Sequence, residues 1–135
     1  MHQLTTIKQK ITIPATPNEV YEALVDPQKH TAFTGSKATG EATVGSEFTA
    51  WDKYISGKHI ELEKGKRIVQ EWMTVAWPEG YDCSKLELTL RATSKGTQIT
   101  MTHSNVPLEL KEELAEGWTE FYWTPLKAYF KKQKQ

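Results

Sequence analysis

The chain has 135 residues, 38% of them hydrophobic and 25% charged, with 17 basic and 17 acidic side chains that cancel. That length suits one domain able to bury a core, and the composition excludes the disordered and membrane-embedded classes. Zero net charge removes the long-range field that would draw the protein to nucleic acid or anionic lipid, so neither is an expected partner.

The segment MHQLTTIKQK carries no apolar signal core, and no window reaches membrane-span length. Cys83 is the single cysteine and cannot close an internal disulfide, which fits a reducing cytoplasm as the expected location. His2 is read as a surface residue, and the KKQKQ tail as a frayed helix end.

In chain order, TTIKQKITIPA alternates as a half-buried strand, with Ile7, Gln9, Ile11 and Ile13 on one face and Pro14 as its stop. Thr16, Pro17 and Glu19 then form a capping box with the favoured first-turn proline. Asp26-Pro27 repeats the signal, so a second short helix runs to about Phe33 and leaves His30 at its surface end. ATGEATV and SEFTAWD read as strands flanking a turn at Gly45, and YISGKHIELE follows with a bulge expected at Gly57.

EKGKR turns the chain into IVQEWMTVAW, where Ile68, Gln70, Trp72 and Thr74 share a face. After the WPEGYD turn, SKLELTLRAT points Leu86, Leu88 and Leu90 inward, and TQITMTHS does the same with Ile99, Met101 and His103. Short turns between consecutive strands make an antiparallel meander with one wet face. Pro107 opens a last helix over about 108 to 131, the one long element able to cover a curved sheet.

At 100° per residue, Leu110, Leu114, Gly117, Trp118, Phe121, Tyr122, Pro125 and Tyr129 share a core-facing sector of that helix. Gly117 implies close approach to the sheet, and Pro125 implies a bend. Trp123 and Phe130 fall outside the sector, as a second ridge or as the same core displaced by the proline.

The segments IPATPNEVYEALVDPQKHTAFTGSKA, GSEFTAWDKYISGKHIELEKGKRIVQEWM, SKLELTL, HSNVP and EGWTEFYWTPLK together resemble the activator of Hsp-90 ATPase homologue-like family of the START/SRPBCC superfamily. The resemblance covers nearly the whole chain. It implies an α+β helix-grip fold over 1–135, in which a curved antiparallel sheet grips a long C-terminal helix, often around an apolar cavity. It also implies an Hsp-90-type chaperone as a possible partner, although the chain matches only the C-terminal of the two domains of eukaryotic activators.

Catalytic signatures are missing from the sequence. There is no phosphate-binding glycine loop, no His-Glu-x-x-His pattern and no Gly-x-Ser-x-Gly elbow, and Cys83 has no second cysteine. No catalytic, cofactor or metal residues are therefore assigned. The expected function is non-enzymatic enclosure of a small hydrophobic or amphipathic molecule.

Candidate cavity walls are Phe48, Tyr54, Trp72, Leu88, Met101, Trp118 and Tyr122, with Gln70 and His103 as polar anchors. His103 either hydrogen-bonds a ligand head or ties its strand end to neighbouring backbone. Gln70 either meets a ligand or pairs with an adjacent strand or with His103. Trp51 is read as a surface anchor for a partner. A small lyase or cyclase in this fold would need an interior acid–base pair, for which His103 with a tyrosine hydroxyl is the available choice.

Overall fold

The computed structural model describes residues 3–133; His2 and the last two residues of the tail lie outside that range. Among the described residues, β1 (Leu4–Ile13) is followed by helices α1 (Pro17–Val25) and α2 (Pro27–Thr34). Strands β2 (Thr39–Gly40), β3 (Glu47–Ala50), β4 (Ile55–Glu63), β5 (Arg67–Thr74), β6 (Ser84–Thr93) and β7 (Gly96–Pro107) come next. They form one antiparallel sheet in the order β1-β7-β6-β5-β4-β3-β2. The chain thus lays its first strand at one edge, crosses by α1 and α2, and returns from the other edge as a meander.

Both N-terminal helices start where their caps dictate. Thr16 Oγ1 accepts from the Glu19 N–H, and Glu19 Oε1 accepts from the Thr16 N–H, while Asp26 caps Gln28 and Lys29. Val20 and Tyr21 of α1 and Phe33 of α2 join the core. The central strands bury the stripe read from their alternation: Ile68, Trp72, Leu86, Leu88, Ile99 and Met101 are all buried on the concave side. The resulting curved sheet with its covering C-terminal helix is the helix-grip arrangement.

Two strand expectations need correction. ATGEATV contributes only Thr39–Gly40 to the sheet. The expected bulge falls between His59 and Glu61 rather than at Gly57. Gly57 serves another purpose: a Cβ there would collide with the Glu71 carbonyl and come within 2.7 Å of the Phe48 ring. Its missing side chain lets Phe48 lie across β4 and stack on His59, with ring centroids 4.9 Å apart.

The C-terminal helix is not uniform. A 3-10 turn (Leu108–Leu110) leads into α3 (Lys111–Gly117), a π segment (Trp118–Trp123) and α4 (Thr124–Gln133). Thr124 N–H reaches back five residues to the Thr119 carbonyl. Pro125 supplies a local reason, because an α-helical proline removes a hydrogen bond and crowds the carbonyl four residues earlier. A π turn holds one extra residue, so every later side chain is rotated by about one helical step, ~100°.

That rotation corrects the helical wheel. Trp123, Leu126 and Phe130 are buried, whereas Phe121 is 49% exposed. Of the two readings of Trp123 and Phe130, the displaced core edge holds. Gln9 on β1 fixes the anomaly in place: its Nε2 donates to the Ala115 carbonyl at 3.0 Å, and its Oε1 accepts from Trp123 Nε1 at 2.7 Å. Gly117 does not approach the sheet tightly, since a Cβ there would meet only the Phe121 ring at 3.8 Å.

Candidate functional site

His103 sits at the centre of a closed network. Trp118 Nε1 donates to His103 Nδ1 at 3.1 Å, and the Ser84 hydroxyl donates to the Trp72 carbonyl at 2.6 Å. With the Ser84 proton so placed, His103 Nε2–H is the donor in its 2.7 Å contact with Ser84 Oγ. Each ring nitrogen therefore has a partner and the neutral tautomer is fixed. Burial holds the imidazole pKa down at about 3. Met101 beside it is fully buried.

His30, read from sequence as a surface residue, is instead 6% exposed. Its side chain goes inward because α2 packs against the C-terminal helix, where Phe33 and Tyr122 flank the ring at 5.0 and 5.3 Å between centroids. His30 Nε2 lies 3.0 Å from the Tyr122 hydroxyl, while its Nδ1 is buried without a partner. Trp51 Nε1 is likewise buried and unpaired. Its approach to the Tyr122 hydroxyl lowers that group's pKa slightly, although no hydrogen bond of ordinary geometry joins them. Desolvation dominates: it pushes Tyr122 strongly upward and His30 down to about 4. Both groups are therefore neutral near pH 7.

Two spaces adjoin these residues. A small cavity of about 40 Å³ lies between the sheet and α1–α2, walled by Phe48, His59, Gln70, Leu88, His30, Trp72, Trp118 and Tyr122, among others. It has room for a few water molecules only. A larger, open groove of about 390 Å³ runs between the C-terminal helix and the β3–β4 turn. Trp51, Tyr54, Ile55, Trp72, Thr74, Leu114, Gly117, Trp118, Phe121 and Tyr122 line it. Neither lining contains an Asp, Glu, Lys or Arg side chain.

The groove's outer wall rests on unusual backbone. Trp51, Asp52 and Lys53 take successive left-handed conformations, with φ of 53°, 54° and 72°. Such φ values are unfavourable for side-chain-bearing residues, by roughly 1 kcal/mol each. Backbone bonds from Asp52 N–H to the Lys37 carbonyl and from Tyr54 N–H to the Trp51 carbonyl hold the turn. The turn sets Trp51 against Phe121 and Tyr122, at 5.5 and 6.5 Å between ring centroids. Trp51 is thus a groove wall rather than a free surface anchor. Gly117 faces it from the helix, and its missing side chain keeps the groove open.

The candidate residues separate into four groups. Phe48, Gln70 and Leu88 line the small cavity, Tyr54 lines the groove, and Trp72, Trp118 and Tyr122 line both. Met101 and His103 line neither, because their neighbours seal them completely. Gln70 pairs with the adjacent strand through His59, at 3.3 Å between Nε2 and Nδ1. Sequence reading missed His30, His59, Phe121 and Gly117 as lining residues. Alternation counted from Ile55 places His59 inward, whereas counting back from Ile60 and Leu62 crosses the bulge and misplaces it. His30 lies on a helix whose polar composition gave no inward face.

No group of three or more His, Cys, Asp or Glu side chains among the described residues is placed to hold a metal ion. No described helix is long and apolar enough to cross a membrane.

Comparison with known proteins follows the same lines. The family model described as "Activator of Hsp90 ATPase homolog 1-like protein" matches residues 14–131. The human activator of 90 kDa heat shock protein ATPase homolog 1 is 31% identical over 124 residues, covering 92% of this chain and 36% of the relative. The Dictyostelium discoideum activator of 90 kDa heat shock protein ATPase homolog is 30% identical over 114 residues, covering 84% and 30%. The chain thus spans about a third of the length of these relatives. Among solved structures, an HSP90 activator from Plasmodium falciparum superposes with a TM-score of 0.80 at 23% identity, covering 94% of this chain and 95% of the other.

Proposed function

The chain belongs to the Activator of Hsp90 ATPase homolog 1-like family, and on that premise we propose that it is a non-enzymatic binding protein whose groove between the C-terminal helix and the β3–β4 turn takes a small apolar or amphipathic molecule. The observation that carries this reading is the pairing of about 390 Å³ of open space with an aromatic, charge-free lining. That volume falls within the ordinary range for small-molecule sites, and desolvation of the apolar walls would supply most of the affinity. The 40 Å³ interior is too small to enclose such a ligand by itself.

The test is a titration with N-phenyl-1-naphthylamine, an uncharged apolar fluorophore. Saturable enhancement that Gly117→Leu abolishes, with the far-ultraviolet circular dichroism unchanged, is the expected result. Absence of saturable binding, or a Gly117→Leu protein that binds equally well, overturns it.

The relatives' names favour a second reading, in which the chain acts on an Hsp90-type chaperone. Adding the protein to such a chaperone and following ATP hydrolysis tests it: acceleration supports that reading, and an unchanged rate at saturating protein rejects it.

A further inference from the structure

Trp72, Trp118 and Tyr122 wall both the small cavity and the groove, so the two spaces share these residues as their partition. The cavity side holds His30 and the His59–Gln70 pair. At the partition, the Tyr122 hydroxyl has more hydrogen-bonding capacity around it than it can use. When the hydroxyl donates to His30 Nε2 at 3.0 Å, the tyrosine proton is satisfied, and His30 carries its own proton on Nδ1. That Nδ1–H is then a buried donor without an acceptor, and the Trp51 indole N–H is a second. The opposite tautomer is worse, because it leaves the Tyr122 proton without an acceptor.

Buried unpaired donors are costly and rare, and one beside an unfilled space calls for an acceptor. Neither lining offers a charged side chain, so a carboxylate or phosphate would enter without a counter-charge. Burial also holds His30 neutral. A neutral acceptor oxygen meets both conditions.

We propose that the cavity and the groove are two ends of one binding site, with His30 as its polar anchor: an uncharged carbonyl head enters beneath Tyr122 and accepts from His30 Nδ1–H, while the apolar body of the same molecule lies along the groove. This rests on the groove being a ligand site, and it adds the chemical class of the ligand. Entry requires the Tyr122 and Trp118 rings to part. They belong to the π segment, whose backbone hydrogen bonding differs from the α-helix on either side.

Displacement of N-phenyl-1-naphthylamine by methyl nonyl ketone and by undecane, molecules alike except for one carbonyl, tests the inference. The ketone is expected to compete about tenfold more strongly than the hydrocarbon, the worth of one well-made hydrogen bond. His30→Phe is expected to erase that preference while undecane binding persists. Should His30→Phe fail to fold, the infrared carbonyl stretch of the ketone bound to the unaltered protein gives an independent reading. A shift to lower frequency, as for a hydrogen-bonded carbonyl, supports the anchor, and a hydrocarbon-like frequency overturns it. Equal competition by ketone and undecane overturns the anchor but leaves the groove standing. Failure of the fluorophore and of both competitors to bind overturns the groove reading and the anchor together.

Discussion

His103 and His30 are both buried histidines beside an aromatic residue of the C-terminal helix, and they differ in what their second nitrogen finds. Around His103 each polar atom is used: Trp118 donates to one nitrogen, Ser84 accepts from the other, and Ser84 passes its own proton to the Trp72 carbonyl. Around His30 one nitrogen bonds Tyr122 and the other is idle, as is the nearby Trp51 indole. The first surroundings are packed solid, and the second border the cavity and the groove. Burial and residue type therefore do not separate a structural histidine from a binding one. Completed hydrogen bonding and the absence of adjoining space do.

The largest effect that can sharpen this contrast is the response to acid. Both imidazoles are held neutral in the folded protein, His30 to about pH 4 and His103 to about pH 3, against 6.5 without burial. Between those values the unfolded chain binds more protons than the folded one, so acid favours unfolding. Stability is complete above about pH 6.5 and falls as the pH drops, by up to about 1.4 kcal/mol per pH unit for each histidine. Chemical denaturation at a series of pH values should show this slope, and His30→Phe should remove its own share while leaving that of His103.

Substitution at neutral pH comes next in size. His103→Leu leaves the Trp118 N–H buried without an acceptor and is expected to cost about 2–3 kcal/mol. His30→Phe takes away the Tyr122 hydroxyl's acceptor but also the idle Nδ1–H donor, so the two effects offset in part and the net cost should be smaller, about 1 kcal/mol. Equal losses in urea denaturation would break the contrast. The smallest effect belongs to the groove itself. Gly117→Ala adds a methyl that meets only the Phe121 ring, and the better helix former should raise stability by up to about 1 kcal/mol. A loss instead would mean that the backbone there needs glycine.

Much of the fold was legible because its signals are local. The capping box at Thr16, the proline starts, the alternation of β5 to β7 and the family motifs all act within a few residues or recur along the chain. The misreadings arose where a distant contact sets the outcome. The π segment depends on Pro125 and on Gln9 from the opposite end of the chain, so a wheel drawn at constant pitch put Phe121 inside and left Trp123 out. Gly57 answers to Phe48 across the sheet and not to a bulge. The site was less legible for the same reason. Aromatic content pointed to Trp72, Trp118 and Tyr122, but whether His30 meets unfilled space depends on how α2 docks under the helix, and no residue spacing encodes that.

The measurement that bears most directly on the binding site is a two-dimensional nitrogen–proton spectrum of the tryptophan indoles during titration with N-phenyl-1-naphthylamine. Trp51, Trp72 and Trp118 line the groove, whereas the Trp123 indole is bound to Gln9 and lines neither space. The expected result is progressive, saturable movement of the first three resonances, with Trp123 moving least. Four resonances that stay still, or a Trp123 resonance that moves as far as the others, would contradict a ligand site in this groove.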